Sequence, residues 1–172
     1  MEIASISKTL KIRSKQSVLI IDPVGKETQC QGIILFGNDL PSLSTPQQVP
    51  VISGPGEYEI GGIKITGLRE GKQTVYSLYV DGLDILLTTA NALEKMHSKL
   101  KEHHMIILRD GDSLPSSSVM ALSPRLLLVY GEEGEKLAKI FSKEEIKKSN
   151  KYATTLEKLP QEMETVLLVS SS

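Results

Sequence analysis

His97, His103 and His104 are the only histidines in the chain, and none lies before residue 97. Imidazole is both a common metal ligand and the usual proton carrier near neutral pH, so their placement bounds the chemistry available. His97 and His104 are seven residues apart in a stretch of helical periodicity, a step that puts both on one face where a stray cation would fit. No acidic partner converges on them, and a solvated or half-buried helix face is the simpler reading. Glu57 and Glu59 project from one side of an extended segment, about 7 Å apart, a separation an acid/base pair can use. A solvated sheet face opposite Tyr58 and Ile60 explains them as well. Ser116-Ser117-Ser118 can offer helix N-terminal amides to an anion, but capping is the plainer role. Cys30 has no histidine near it in sequence and reads as a packed thiol. Gly131-Glu132-Glu133-Gly134-Glu135-Lys136 lacks the glycine spacing of a phosphate loop and puts acids where phosphates would sit. No Gly-x-Ser-x-Gly elbow occurs.

Composition excludes several partner classes. A net charge of -1 and a pI near 6.3 give no basic field for nucleic acid. Lys143, Lys147, Lys148 and Lys151 form the one basic cluster, diluted by Glu144 and Glu145, and read as a solvated helix end. No run of about 18 apolar residues suggests a membrane span, and one cysteine cannot form an internal disulfide; a reducing cytoplasm is the expected setting. With no tryptophan and two phenylalanines, Ile, Leu and Val must fill the core. The 172 residues suit one domain over 1–172.

The elements that must position these groups fall into two halves. In the first, Met1 to Ile12 reads as one or two strands, and Val18 to Ile21 and Gly32 to Phe36 as strands buried on both faces. Leu40 to Pro50 reads as a loop. Gly54-Pro55-Gly56 permits a sharp reversal, and Gly61-Gly62 and Asp81-Gly82 are hairpin signals flanked by alternating residues. In the second half the period changes. Leu93, Met96 and Leu100 mark a helix of about three turns, with Asn91 and Glu94 resembling a capping box. Met105 to Leu108 and Arg125 to Val129 read as strands, Ser116 to Leu122 as a serine-capped helix, and Glu132 to Phe141 as a helix with Leu137, Ile140 and Phe141 on one stripe. Thr165 to Val169 reads as the last strand. Strands followed by strand and helix alternation predict α/β or α+β layers.

The order of several strings then carries a likeness: Ile20-Ile21-Asp22-Pro23, Gly54-Pro55-Gly56-Glu57-Tyr58-Glu59 with Gly62 behind it, Gln73-Thr74-Val75-Tyr76, Asp81-Gly82 and Ser123-Pro124-Arg125. Together they resemble metallo-β-lactamase-fold hydrolases, in particular the branch similar to ascorbate-phosphate lactonases. The resemblance implies a four-layer αββα sandwich, shortened here, with metals held by loops at one edge of the two sheets. It also implies a His-x-His-x-Asp-His string after the strand matching Gly32 to Phe36, where this chain has Asn38-Asp39-Leu40-Pro41-Ser42-Leu43. The metal-bridging Asp falls on Ala90, a later His at about Gly131 beside Tyr130, and an early His at about Lys8.

A zinc site draws its stability from deprotonated ligands, on the order of 10–16 kcal/mol for a full structural set, and these imidazoles are gone. The expectation is a metal-free, cofactor-free, non-catalytic protein of this fold, acting through protein contacts or as a binding module. A hydrolase with a non-standard metal site is the alternative. Leu40, Leu43, Ala90 and Leu93 at former ligand positions predict an apolar former site. Asn38, Asp39, Asn91 and Tyr130 are the candidate binding residues of the relic cleft. A second copy or a related subunit is the expected partner, with no nucleic acid and no membrane.

Overall fold

The computed structural model describes residues 1–6, 8–24, 29–36, 48–111 and 113–171. The first strands are β1 (Glu2–Ile6), β2 (Thr9–Arg13), β3 (Val18–Ile21), β4 (Gly32–Ile34) and β5 (Val51–Ile52). With a later strand, Lys151–Ala153, they build a six-stranded sheet in which β3, β4 and β5 are parallel. A second, eight-stranded sheet starts with the antiparallel run β6 (Gly56–Ile60), β7 (Ile63–Glu70), β8 (Gln73–Val80) and β9 (Leu83–Thr89). Gly54-Pro55-Gly56 therefore does not fold one strand back on its predecessor. It moves the chain from one sheet to the other, and the Tyr58 hydroxyl pins the bend, 3.1 Å from the Gly54 carbonyl and 2.9 Å from that of Pro55. The β6–β7 hairpin forms as expected: Gly61 and Gly62 have φ of 54° and 81°, the left-handed pair a two-residue turn needs. A side chain at Gly61 would also collide with Ser17, whose hydroxyl donates to the Gly61 carbonyl at 2.9 Å.

From β9 onward the connections are crossovers. Helix α1 (Ala90–Met96) leads to β10 (Met105–Arg109), α2 (Ser116–Met120) to β11 (Leu126–Tyr130), and α3 (Gly134–Phe141) toward β12 (Lys147–Ser149). With β14 (Glu164–Leu168) these strands run parallel in the order β12-β14-β11-β10-β9. Parallel strands need such covered faces, and the alternation shows it. Ile85 and Leu87 join the core between the sheets, whereas Leu86 packs outward with Leu93, Met96, Val119 and Leu137. Among the described residues the helices cover only the eight-stranded sheet. The outer face of the six-stranded one carries a small cluster of Ile20, Ile33 and Cys30.

Four local expectations change. α1 is shorter, ending in a 3-10 turn (His97–Lys99), and its cap is Thr89, whose hydroxyl accepts from the Ala92 amide at 3.2 Å; Asn91 is inside the helix. α2 has no serine cap, since Pro115 precedes its first turn. In α3, Leu137 and Ala138 face inward and Ile140 is exposed. The lysine-rich segment is not a helix end. It forms β12 and then β13 (Lys151–Ala153), which pairs with β1, so residues 147–153 tie an edge of one sheet to an edge of the other. Lys147 reaches Glu164 at 2.7 Å, and charged edge strands of this kind resist pairing with other chains. Among the described residues no helix is long and apolar enough to cross a membrane.

Candidate functional site

Parallel strands end together, and the crevice beyond their carboxyl ends is where open α/β sheets bind ligands. Here the ends of β4, β9 and β10 enclose a cleft of about 540 Å³, with β7 and β8 extending it. Its floor is Leu35, Phe36 and Tyr76; the two rings lie 6.2 Å apart at 59°. Burial pushes the Tyr76 phenol up to about 12, so it stays protonated in the neutral range.

One end of the cleft is an ion network. Arg109 at the end of β10 donates to Asp22 at the end of β3, joining the two sheets, and its Nε lies 3.6 Å from the Asp110 carboxylate. Asp22 also accepts from the Phe36 amide at 2.7 Å, and Asp110 from the Glu133 amide at 3.2 Å. Both aspartates have positive φ, 47° and 39°, in the left-handed region that Asp tolerates better than most residues. Gly131 makes room for this arrangement. An added Cβ there would stand 2.0 Å from Asp110 Oδ1. Tyr130 is 2% exposed, its hydroxyl has no partner among the described residues, and burial pushes its pKa far up.

The other end is cationic. Arg69, at the end of β7, donates from Nε to Thr74 Oγ1 at 3.1 Å, and Lys72 stands in the β7–β8 turn. Among the described residues neither has an ion-pair partner.

Of the sequence-predicted binding residues, Asn91 lines the cleft from the first turn of α1, and Tyr130 is buried in the core between the sheets. Asn38 and Asp39 lie outside the described residues, as do Leu40 and Leu43. The expected apolar former site is corrected as far as the described residues reach. Ala90 and Leu93 pack into the helical layer, and the cleft they were expected to face is lined largely by polar and charged groups. Lys8 forms an exposed 2.6 Å pair with Glu132, which raises the lysine's pKa and lowers the glutamate's. Arg109, Asp110 and Arg69 were not singled out from sequence, and Gln73 only as part of the Gln-Thr-Val-Tyr string. Asp22 likewise appeared in a quoted string, Ile-Asp-Pro, where it ends the apolar run.

The histidines are not a set on one helix face. His97 sits at the end of α1, its Nδ1 2.9 Å from the Glu94 carbonyl. His103 is buried, with Nδ1 2.8 Å from the Lys101 carbonyl and Nε2 2.8 Å from Ser77 Oγ. The carbonyl only accepts, so Nδ1 carries the proton and Nε2 accepts from the serine. His104 Nδ1 accepts from the Asp84 amide at 2.9 Å. His103 and His104 precede β10, whereas Arg109 ends it, a separation of about 17 Å at the rise of a strand.

This fixes the fit of a metal. The sequence resemblance implies cations held by imidazoles at one edge of the two sheets. Here the described crevice has only the carboxylates of Asp22 and Asp110, both engaged by Arg109 and backbone amides. Among the described residues no group of three or more His, Cys, Asp or Glu converges to hold a metal ion. The described residues do not fit the group. A fixed guanidinium supplies the positive charge between the sheets.

No protein-family model matches the chain, and no curated protein does. A solved structure does match: a crystal structure from Thermotoga maritima, assigned by its description to the Zn-dependent hydrolases of the metallo-β-lactamase superfamily. The two superpose with a TM-score of 0.69 at 14% identity, over 97% of this chain and 98% of that one. The fold is a metallo-β-lactamase fold. The mutual coverage also means that this chain is not a shortened version of that one. At this identity the likeness concerns the fold, and the zinc dependence is stated of the other protein.

Proposed function

We propose that this chain is a non-catalytic protein of metallo-β-lactamase fold whose cleft binds a molecule without hydrolysing it. One observation carries the reading: Arg109 occupies the crevice between the sheets and engages both carboxylates that the described residues place there. A metal-activated water needs an open position on a cation held by several protein ligands. A guanidinium provides charge but neither a vacant coordination position nor a means of acidifying water. The motif resemblance to ascorbate-phosphate lactonases belongs to this reading as ancestry of the shell. The cleft volume lies in the range of small-molecule sites, which favours a binding module over a filled scaffold.

The test is metal content together with turnover. Protein incubated with zinc or manganese, desalted and analysed by mass spectrometry should retain well below one equivalent, with no turnover of phosphodiester or lactone substrates. Stoichiometric metal with chelator-sensitive hydrolysis would overturn the proposal in favour of a non-standard metallohydrolase.

A further inference from the structure

The two ends of the cleft carry opposite charge, and that asymmetry says what it can hold. Strand order along this edge runs β10, β9, β8, β7, so Arg109 and Asp110 lie three strands from Arg69, about 14 Å at ordinary strand spacing. The β10 end is internally neutralised and slightly negative, with Asp22 and Asp110 sharing one guanidinium. The β7 end has two cations, Arg69 and Lys72, without acidic partners among the described residues. Between them Phe36 offers a partly exposed ring, set at 59° to the buried ring of Tyr76.

A second, independent feature stands beside the cations. The side-chain oxygen of Gln73, a lining residue at the start of β8, is buried and has no hydrogen-bond partner among the described residues. Buried acceptors are nearly always satisfied, and one left unpartnered on a residue that lines a cleft is a place for a ligand donor once its side chain turns toward it. Arg69 is pre-positioned by its Thr74 bond, which leaves its outer N–H groups to form the two-pronged contact guanidinium makes with planar oxyanions.

We infer that the cleft binds a small organic anion: an oxyanion head at Arg69 and Lys72, an apolar or aromatic body on Phe36, and an N–H or O–H donated to Gln73. This deepens the binding-module reading and rests on it. The head is a carboxylate or a phosphate, which share this chemistry. Phe36 provides for a body that a bare inorganic anion lacks.

The experiment is amide NMR titration of the full chain with 3-hydroxybenzoate, benzoate, phenyl phosphate and benzyl alcohol, with phosphorus NMR following phenyl phosphate. Saturable shifts centred on Arg69 to Tyr76 are expected with an anionic probe, and none with benzyl alcohol. The more tightly bound anion identifies the head. The R69Q/K72Q variant should weaken that binding at least tenfold. Both side chains are exposed, so the variant should keep the native spectrum elsewhere. Gln73→Leu should erase any advantage of 3-hydroxybenzoate over benzoate. No saturable shift with any anion, an equal response to benzyl alcohol, or unchanged affinity in R69Q/K72Q would overturn the inference. Release of inorganic phosphate from bound phenyl phosphate would sink the non-catalytic reading instead, leaving the anion site standing.

Discussion

Replacing Arg109 with Met tests whether the guanidinium holds the crevice together. The Arg109 side chain is 22% exposed and that of Asp22 14%, so most of this pair is out of water. Removing one partner of a fully buried pair costs about 3–5 kcal/mol, much of it the penalty of leaving the other charge unpaired. Partial exposure and the surviving Phe36 amide bond to Asp22 reduce that to about 2–3 kcal/mol. The looser contact to Asp110, whose side chain is 38% exposed, adds less than about 1 kcal/mol. R109M should therefore lose about 3 kcal/mol, or about 6–12 °C in Tm for a chain of this size. The assay is urea unfolding followed by circular dichroism, on R109M, D22N and the double variant. The amide that D22N introduces has no charge to strand, so the double variant should be little worse than D22N alone, giving a coupling energy of about 2 kcal/mol. A loss below about 1 kcal/mol in R109M, or a coupling energy near zero, would refute the claim that Arg109 supplies the cation this site depends on.

Other substitutions probe the surroundings. Gly131→Ala puts a Cβ against the Asp110 carboxylate at a φ of 107°, and should cost about 2–4 kcal/mol in chemical unfolding. Near-wild-type stability would mean that Asp110 is not held over this glycine. Thr89→Ala removes the α1 cap and should cost about 1 kcal/mol, whereas Asn91→Ala should be close to neutral, reversing the order a cap at Asn91 would give. His103 provides a pH test. Burial lowers its pKa from the ordinary 6.5, so below that value the unfolded chain takes up a proton that the native state refuses. The stability is present above about 6.5 and is lost as pH falls through the depressed native value. Unfolding midpoints measured from pH 7.5 down to 5.5 should fall for wild type and flatten for H103Q; parallel slopes would assign the effect to other groups.

Much of the fold was legible because it rests on local physics. Gly61-Gly62 and Asp81-Gly82 are among the few pairs able to take positive φ twice in succession, so the β6–β7 and β8–β9 hairpins were readable from four residues. Likewise β9, β10 and β11 are apolar on both faces because both faces are covered. Long-range pairing was not legible. Nothing local marks Lys147 to Ala153 as two strands that join opposite sheets, since an exposed edge strand has no buried face to impose alternation. Thr89 was missed as a cap because β9 runs into α1 without a loop, and its last residue is also the helix's first hydrogen-bond acceptor.

The site shows where a reading of missing ligands falls short. Aliphatic residues at positions where the resemblance expects ligands do not make a site apolar unless their side chains point into it, and Ala90 and Leu93 turn into the helical layer. Asp22 ends a buried strand, its side chain is largely withdrawn from water, and a charge so placed requires a counter-charge. The residue that answers it lies 87 positions away in sequence, at the end of a strand read only as apolar. Asp22 in the Ile-Asp-Pro string was visible from the start, and the physical question it posed was which cation faces it. Arg109 is the answer, and it makes the crevice an ion-paired joint between the sheets, with the unpaired positive charge displaced to Arg69 and Lys72 at the other end of the cleft.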